Sequence, residues 1–258
     1  MQKKIQALIN VLLFIGMVWV NALANILPIN GYNTGQVSAF YPNFFVPAGF
    51  TFSIWGLIYL LLAGFVITSL VSVFANINAS AEEAIKRASP LFQITCLLNA
   101  GWIIAWHYLY LEISLVIMLA FLVMLIKTYL RIQPLKTNFN FFIRVWIYHA
   151  FVVYLAWISV ATIANFTALF VGLGWQGNPF PAELWSILLI CVALLLGIFF
   201  VGKLKEPAFG FVLSWAFLGI YSAQMKASKE VGIIAAISVC NLLAWTITIL
   251  IKSRKKAH

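Results

Sequence analysis

The sequence predicts an all-α integral membrane protein of about eight transmembrane helices. Three observations carry that prediction. Hydrophobic residues make up 64% of the chain and charged residues 9%. The mean hydropathy is +1.03. No charged residue occurs between Lys4 and Glu82, and aspartate is absent throughout. Soluble domains average about 45–50% apolar and about 25% charged residues. A 258-residue soluble chain could bury a large core, but its surface would need far more charge than this.

A membrane-crossing helix needs roughly 20 apolar residues. The runs that qualify are 5–27, 48–76, 90–111, 113–132, 141–172, 182–202, 207–226 and 230–252. Turn chemistry separates them. Pro28 to Pro47 forms a long uncharged loop containing Asn30-Gly31 and Asn33-Thr34-Gly35. Asn76 to Pro90 carries Glu82, Glu83, Lys86 and Arg87. Gln133-Pro134, Gln176-Gly177-Asn178-Pro179 and Lys205-Glu206-Pro207 mark later breaks, and a tight break is expected at Leu111–Glu112.

A net charge of +10 would suggest nucleic acid in a soluble protein, but here the basic residues sit at the ends of apolar runs. With the N-terminus inside, fourteen fall on cytoplasmic ends and two, Lys226 and Lys229, outside. The positive-inside rule then places both termini in the cytoplasm, with a bacterial inner membrane as the expected location. Lys3-Lys4, an apolar stretch and Ala22-Leu23-Ala24 also fit an export signal; a retained first span is expected. Cys96, Cys191 and Cys240 lie inside apolar runs and read as small hydrophobes.

Polar side chains inside a bilayer are costly and mark candidate sites. Here they are Asn21, Asn99, His107, His149, Ser159, Thr162, Asn165, Gln224 and Asn241. No span has a carboxylate near its middle, which argues against ion-coupled pumping. Two histidines are too few for a protein-built metal site; each reads as a hydrogen-bonded structural residue or as a haem or tetrapyrrole contact. There is no nucleophile–base set and no phosphate loop, so no enzyme and no required cofactor are expected.

Aromatic residues, 16% of the chain, are the richest signal. Some, such as Trp19, Trp175 and Trp185, fit an interfacial belt. Others form stripes at helical spacing. Phe52, Trp55 and Tyr59 make one; Asn99, Trp102 and Trp106 another; Tyr154, Trp157, Ala161 and Asn165 a third. Three such stripes would line an apolar cavity with a few orienting amides, although helix packing accounts for any one of them alone.

These stripes resemble motifs of the tryptophan-rich sensory protein/translocator protein (TspO/MBR, peripheral benzodiazepine receptor-like) family. Tyr154-Leu155-Ala156-Trp157 through Ala161-Thr162 to Asn165 is similar to that family's fifth helix. Leu98-Asn99-Ala100-Gly101-Trp102 is similar to its third, and Pro47 to Tyr59 to the start of its second. Phe50 stands where the family usually has Trp, Gln93 is displaced from the family glutamine, and Phe166 to Phe170 lacks the proposed sterol-recognition pattern. The resemblance implies a five-helix bundle over residues 1–172, with a three-helix extension over 173–258. It further implies a receptor or transporter that binds a porphyrin-like ligand under the first loop. Trp55, Asn99, Trp102, Trp157, Ala161 and Asn165 would line or brace that pocket, and small residues on helix three, here Gly101 and Ala105, would support a homodimer. The rival expectation is a permease working through the C-terminal helices, motivated by Ser222, Gln224 and Asn241.

Overall fold

The computed structural model describes residues 2–175 and 177–255, residues 253–255 by backbone alone. Gln176 and Lys256 of the sequence reading lie outside the described residues, as do the side chains of Arg254 and Lys255. The described residues form α1 (Gln2–Ile26), α2 (Ile54–Phe74, led in by a 3-10 turn at Gly49–Ser53), α3 (Ala79–His107) and α4 (Leu111–Ile132). Then come α5 (Phe141–Gly172), α6 (Ala182–Gly202), α7 (Pro207–Gln224) and α8 (Lys229–Lys255). Seven helices of the described residues are long and apolar enough to cross a membrane. The eighth, α7, has 18 residues, and more than half of them, including Phe209, Leu213, Phe217 and Gln224, are buried. A helix surrounded by protein does not have to be apolar all round.

Two boundaries differ from the sequence expectation. Residues 79–89, read as a loop ending at Pro90, are helical, and Pro90 lies inside α3. Proline removes one helical hydrogen bond, but the turns before it are held in other ways. Asn78 caps them through Ser80 N at 2.8 Å, Ala81, Ala84 and Ala88 are buried, and Arg87 pairs with Glu83 at 2.7 Å one turn away. The break expected at Leu111–Glu112 falls earlier, at Tyr108–Tyr110, where Leu109 adopts a left-handed φ of 61°.

The chain divides into two compact units, residues 1–37 with 54–158, and residues 38–53 with 159–258. The division falls within α5, and the second half of the first loop groups with the C-terminal helices.

In the first unit, α1 packs on α2 and α3, α3 on α4, and α2 on the π-helical stretch Arg144–His149 that opens α5. Phe65, Phe92 and Phe151 meet edge to face at the centre, with centroids 5.0–6.2 Å apart. The close approach of α2 and the π stretch requires Gly64, because any Cβ there would overlap the Trp146 ring. Leu8, Leu12, Ile15 and Trp19 line the outer face of α1, while Asn10 and Asn21 point inward. Asn10 donates to Ser89 at 2.8 Å and Ser69 at 3.2 Å and accepts from Gln93 at 2.9 Å. A first helix tied to α2 and α3 by such bonds is an integral part of the unit.

In the second unit, α6, α7 and α8 pack pairwise. Leu188, Val192, Leu195 and Phe199 form the outer stripe of α6, whereas Ser186, Ile190, Ala193, Gly197 and Val201 are buried. Phe200 and Phe209 stack with centroids 3.8 Å apart where α6 turns into α7. Residues 46–51 lie along α7 through three bonds. Ala48 N donates to Gly219 O at 3.0 Å, Trp215 Nε1 to Thr51 O at 3.0 Å and Gln224 Nε2 to Val46 O at 2.9 Å. This approach requires Gly219, since a Cβ there would overlap Thr51.

Candidate functional site

Helical spacing sets Trp55 and Tyr59 one turn apart on α2, and Trp102 and Trp106 one turn apart on α3. Both pairs stack, with centroids 5.7 and 5.9 Å apart. Trp55 joins the helices. Its ring stacks on Trp102 at 6.3 Å and meets the edges of Tyr154 at 6.0 Å and Trp157 at 6.3 Å on α5. These are ordinary separations for attractive aromatic pairs. The rings of α3 and α5 turn inward: Trp102 and Trp106 are each 5% exposed, Trp157 3%, and Tyr154 is fully buried, while Trp55 and Tyr59 are half-buried.

Asn99 is the polar centre of this cluster. Its amide donates to the Tyr154 hydroxyl at 2.9 Å, and its carbonyl accepts from Asn21 Nδ2 of α1 at 2.6 Å. Asn21 also donates back to Met17 O at 2.9 Å, and Phe121 of α4 packs against Tyr154 at 5.1 Å. Helices α1 to α5 therefore all contribute to one aromatic–amide cluster within the first unit. Two donors in it are unspent. Trp102 Nε1 and the Tyr59 hydroxyl are buried and have no hydrogen-bond partner among the described residues. The Tyr59 hydroxyl lies beside Asn99 but outside hydrogen-bond geometry. A buried unpaired donor costs about 1–3 kcal/mol.

One end of the cluster is closed by the first loop. Trp106 Nε1 donates to Thr34 O at 3.4 Å and Asn30 Nδ2 to His107 O at 3.0 Å. His107 is itself held by Ile103 O at 2.8 Å and Thr34 Oγ1 at 3.5 Å, as expected of a structural histidine. His149 lies in the π stretch beside Tyr148, with ring centroids 5.7 Å apart.

Seven of the ten residues singled out in the sequence thus share one cluster: Trp55, Tyr59, Asn99, Trp102, Trp106, Tyr154 and Trp157. Phe52, Ala161 and Asn165 belong to the second unit, where Asn165 is 3% exposed and the other two are half-buried. The polar residues behind the permease expectation do not share a buried face: Gln224 is buried, while Ser222 and Asn241 are exposed. Gly101 and Ala105 are engaged within the chain. Ile117 of α4 stands 3.9 Å from the Cβ position of Gly101, and Ala105 is 5% exposed.

The second unit holds a cavity of about 880 Å³ that the sequence reading missed. It is bounded by residues 38–46 of the first loop, the end of α5, the start of α6 and the end of α7. Trp175 and Trp185, read from sequence as belt residues, form part of its wall. Its lining is drawn from a loop and three helix ends, so no single periodic stripe announces it.

No curated protein and no solved structure matches the chain. The family model described as TSPO-like protein matches residues 7–249, a span that includes all three aromatic stripes and the three C-terminal helices as well. The chain is a membrane-embedded member of the TSPO-like protein family.

Proposed function

We propose that the chain is a non-enzymatic membrane receptor or transporter that binds a flat hydrophobic ligand, of porphyrin or haem type, at the aromatic cluster of α2, α3 and α5. The observation that carries this is the gathering of Trp55, Tyr59, Trp102, Trp106, Tyr154 and Trp157 about Asn99, with Trp102 Nε1 buried and without a hydrogen-bond partner among the described residues. Indole and phenol faces stack on a flat ring, and the spare donors meet its polar edge. Family membership supports a binding or transport role. Phe52, Ala161 and Asn165 belong to the second unit and are left out of this site. Both termini are assigned to the cytoplasmic side from the fourteen-to-two bias of basic residues; reporter fusions at residue 258 that are active only outside the cytoplasm would reverse that assignment if they scored positive.

The binding test is a protoporphyrin titration against intrinsic tryptophan fluorescence in detergent or nanodiscs. Saturable quenching is expected, weakened several-fold in Trp102→Phe and in Trp157→Phe. Non-saturable quenching, or an affinity unchanged in both tryptophan variants, would overturn the assignment.

A further inference from the structure

The cavity of the second unit has a chemistry of its own. Among its described lining residues none is charged. Several of its polar side chains are spent locally: Ser186 Oγ donates to Ala182 O at 3.1 Å, Thr167 Oγ1 to Ala164 O at 2.8 Å, Trp185 Nε1 to Gly177 O at 2.9 Å and Gln224 Nε2 to Val46 O at 2.9 Å. Asn43 bridges Tyr41 O and Phe45 N, each at 2.9 Å. An occupant here meets a mostly apolar surface, and none of the described lining side chains carries a charge to neutralise a carboxylate or phosphate.

The wall is aromatic and continuous. Phe166 and Phe170 lie 4.5 Å apart, Phe170 and Trp175 5.7 Å, and Trp175 and Trp185 5.3 Å. Gly177, at a left-handed φ of 96°, turns its carbonyl onto the Trp185 indole and so fixes the rim. The cavity is also polarised by depth. Asn178 at the rim is exposed, while Ser186, one turn into α6, is buried and Leu189 is half-buried. From Ala182 to Leu189 the helix rises about 10 Å. The lining comes from the C-terminal ends of α5 and α7 and the N-terminal end of α6, and it includes Trp175 and Trp185, the residue type favoured at a membrane interface.

We propose that this cavity is a binding site for a neutral, single-tailed amphiphile, such as an acyl chain with a hydroxyl or ester head. The head would lie at the Asn43–Asn178 rim and the tail along Phe170 and Phe166 toward Leu189. The volume, about 880 Å³, lies within the usual ligand-pocket range of about 300–1,000 Å³. At about 30 Å³ per non-hydrogen atom, the share of a water molecule in the liquid, it holds roughly 20–30 such atoms. The site is separate from the aromatic cluster and does not depend on the porphyrin reading.

The test uses the full chain in nanodiscs and a monoacylglycerol with a photoactivatable diazirine in its tail. Peptide mapping is expected to find label on segments 166–175 and 182–189, with at least a five-fold reduction by excess unlabelled monoacylglycerol. The fatty acid of the same tail at pH 9, charged at its head, is expected to compete at least five-fold less well. Ser186→Phe and Ala223→Phe each fill the cavity, and are expected to abolish that label while leaving the helical circular dichroism and thermal midpoint unchanged; the second variant and these two readouts show whether either one has merely misfolded. Label spread evenly over the outer stripe of α6, or label unchanged in a filled variant that keeps its thermal midpoint, would overturn the proposal. Equal competition by the anionic acid would overturn its neutrality.

Discussion

Replacing Asn99 by alanine removes both bonds at the centre of the cluster, the 2.6 Å bond from Asn21 and the 2.9 Å bond to Tyr154. Interhelical hydrogen bonds in membrane proteins contribute on average about 0.6 kcal/mol and at most about 1.7 kcal/mol each. Two bonds therefore give about 1–3 kcal/mol, which is roughly 5- to 150-fold in the unfolding equilibrium. The short Asn21 bond can be isolated with a double-mutant cycle of Asn21→Ala and Asn99→Ala, measured by reversible unfolding in mixed micelles. Asn21 keeps its second bond to Met17 O in the Asn99 variant, so its amide is not fully stranded and the coupling should fall at about 0.5–1.5 kcal/mol. Strictly additive losses, with coupling under about 0.2 kcal/mol, would refute the claim that these amides hold α1 to α3.

Gly64→Ala should destabilise by about 1–3 kcal/mol through overpacking against Trp146, seen as a lower thermal midpoint and a changed tryptophan emission. Gly219→Ala should push residues 47–51 off α7 and expose the Ala48 amide, read as faster hydrogen exchange there while α1 to α4 stay protected. Trp102→Phe should leave the unliganded protein as stable as before or slightly more so, because it deletes an unpaired donor and keeps most of the ring; a loss above about 2 kcal/mol in the melting curve would show that Nε1 has a partner. Lys3→Gln should cost under about 1 kcal/mol, since the 2.7 Å pair with Glu82 is exposed, and its effect should vanish in high salt.

The helices were legible because lipid imposes a length and an apolar surface that a one-dimensional pattern can show. Within them, 3.6-residue periodicity brought Trp55 over Tyr59 and Trp102 over Trp106, and the structure has them so. Pro90 misled, because a proline reads as a stop unless one knows that Ala81, Ala84 and Ala88 are buried beneath the turns before it. The inward-facing amides were visible as residues but not as pairs: Asn21 and Asn99 are 78 positions apart, and no local rule joins them. The cavity in the second unit was invisible for the same reason, its wall being assembled from four separated segments.

The two buried asparagines of α1, Asn10 and Asn21, also bear on how the chain is made. This helix leaves the ribosome first, carrying amides whose partners on α3, Ser89 and Asn99, are 79 and 78 residues downstream. At about 5–20 residues per second, those partners are synthesised about 4–16 s later. During that interval the nascent segment carries exposed amide groups that favour an aqueous or protein-lined surrounding over acyl chains. Its release into the bilayer is therefore expected to await the third helix, with assembly by groups of helices rather than one at a time.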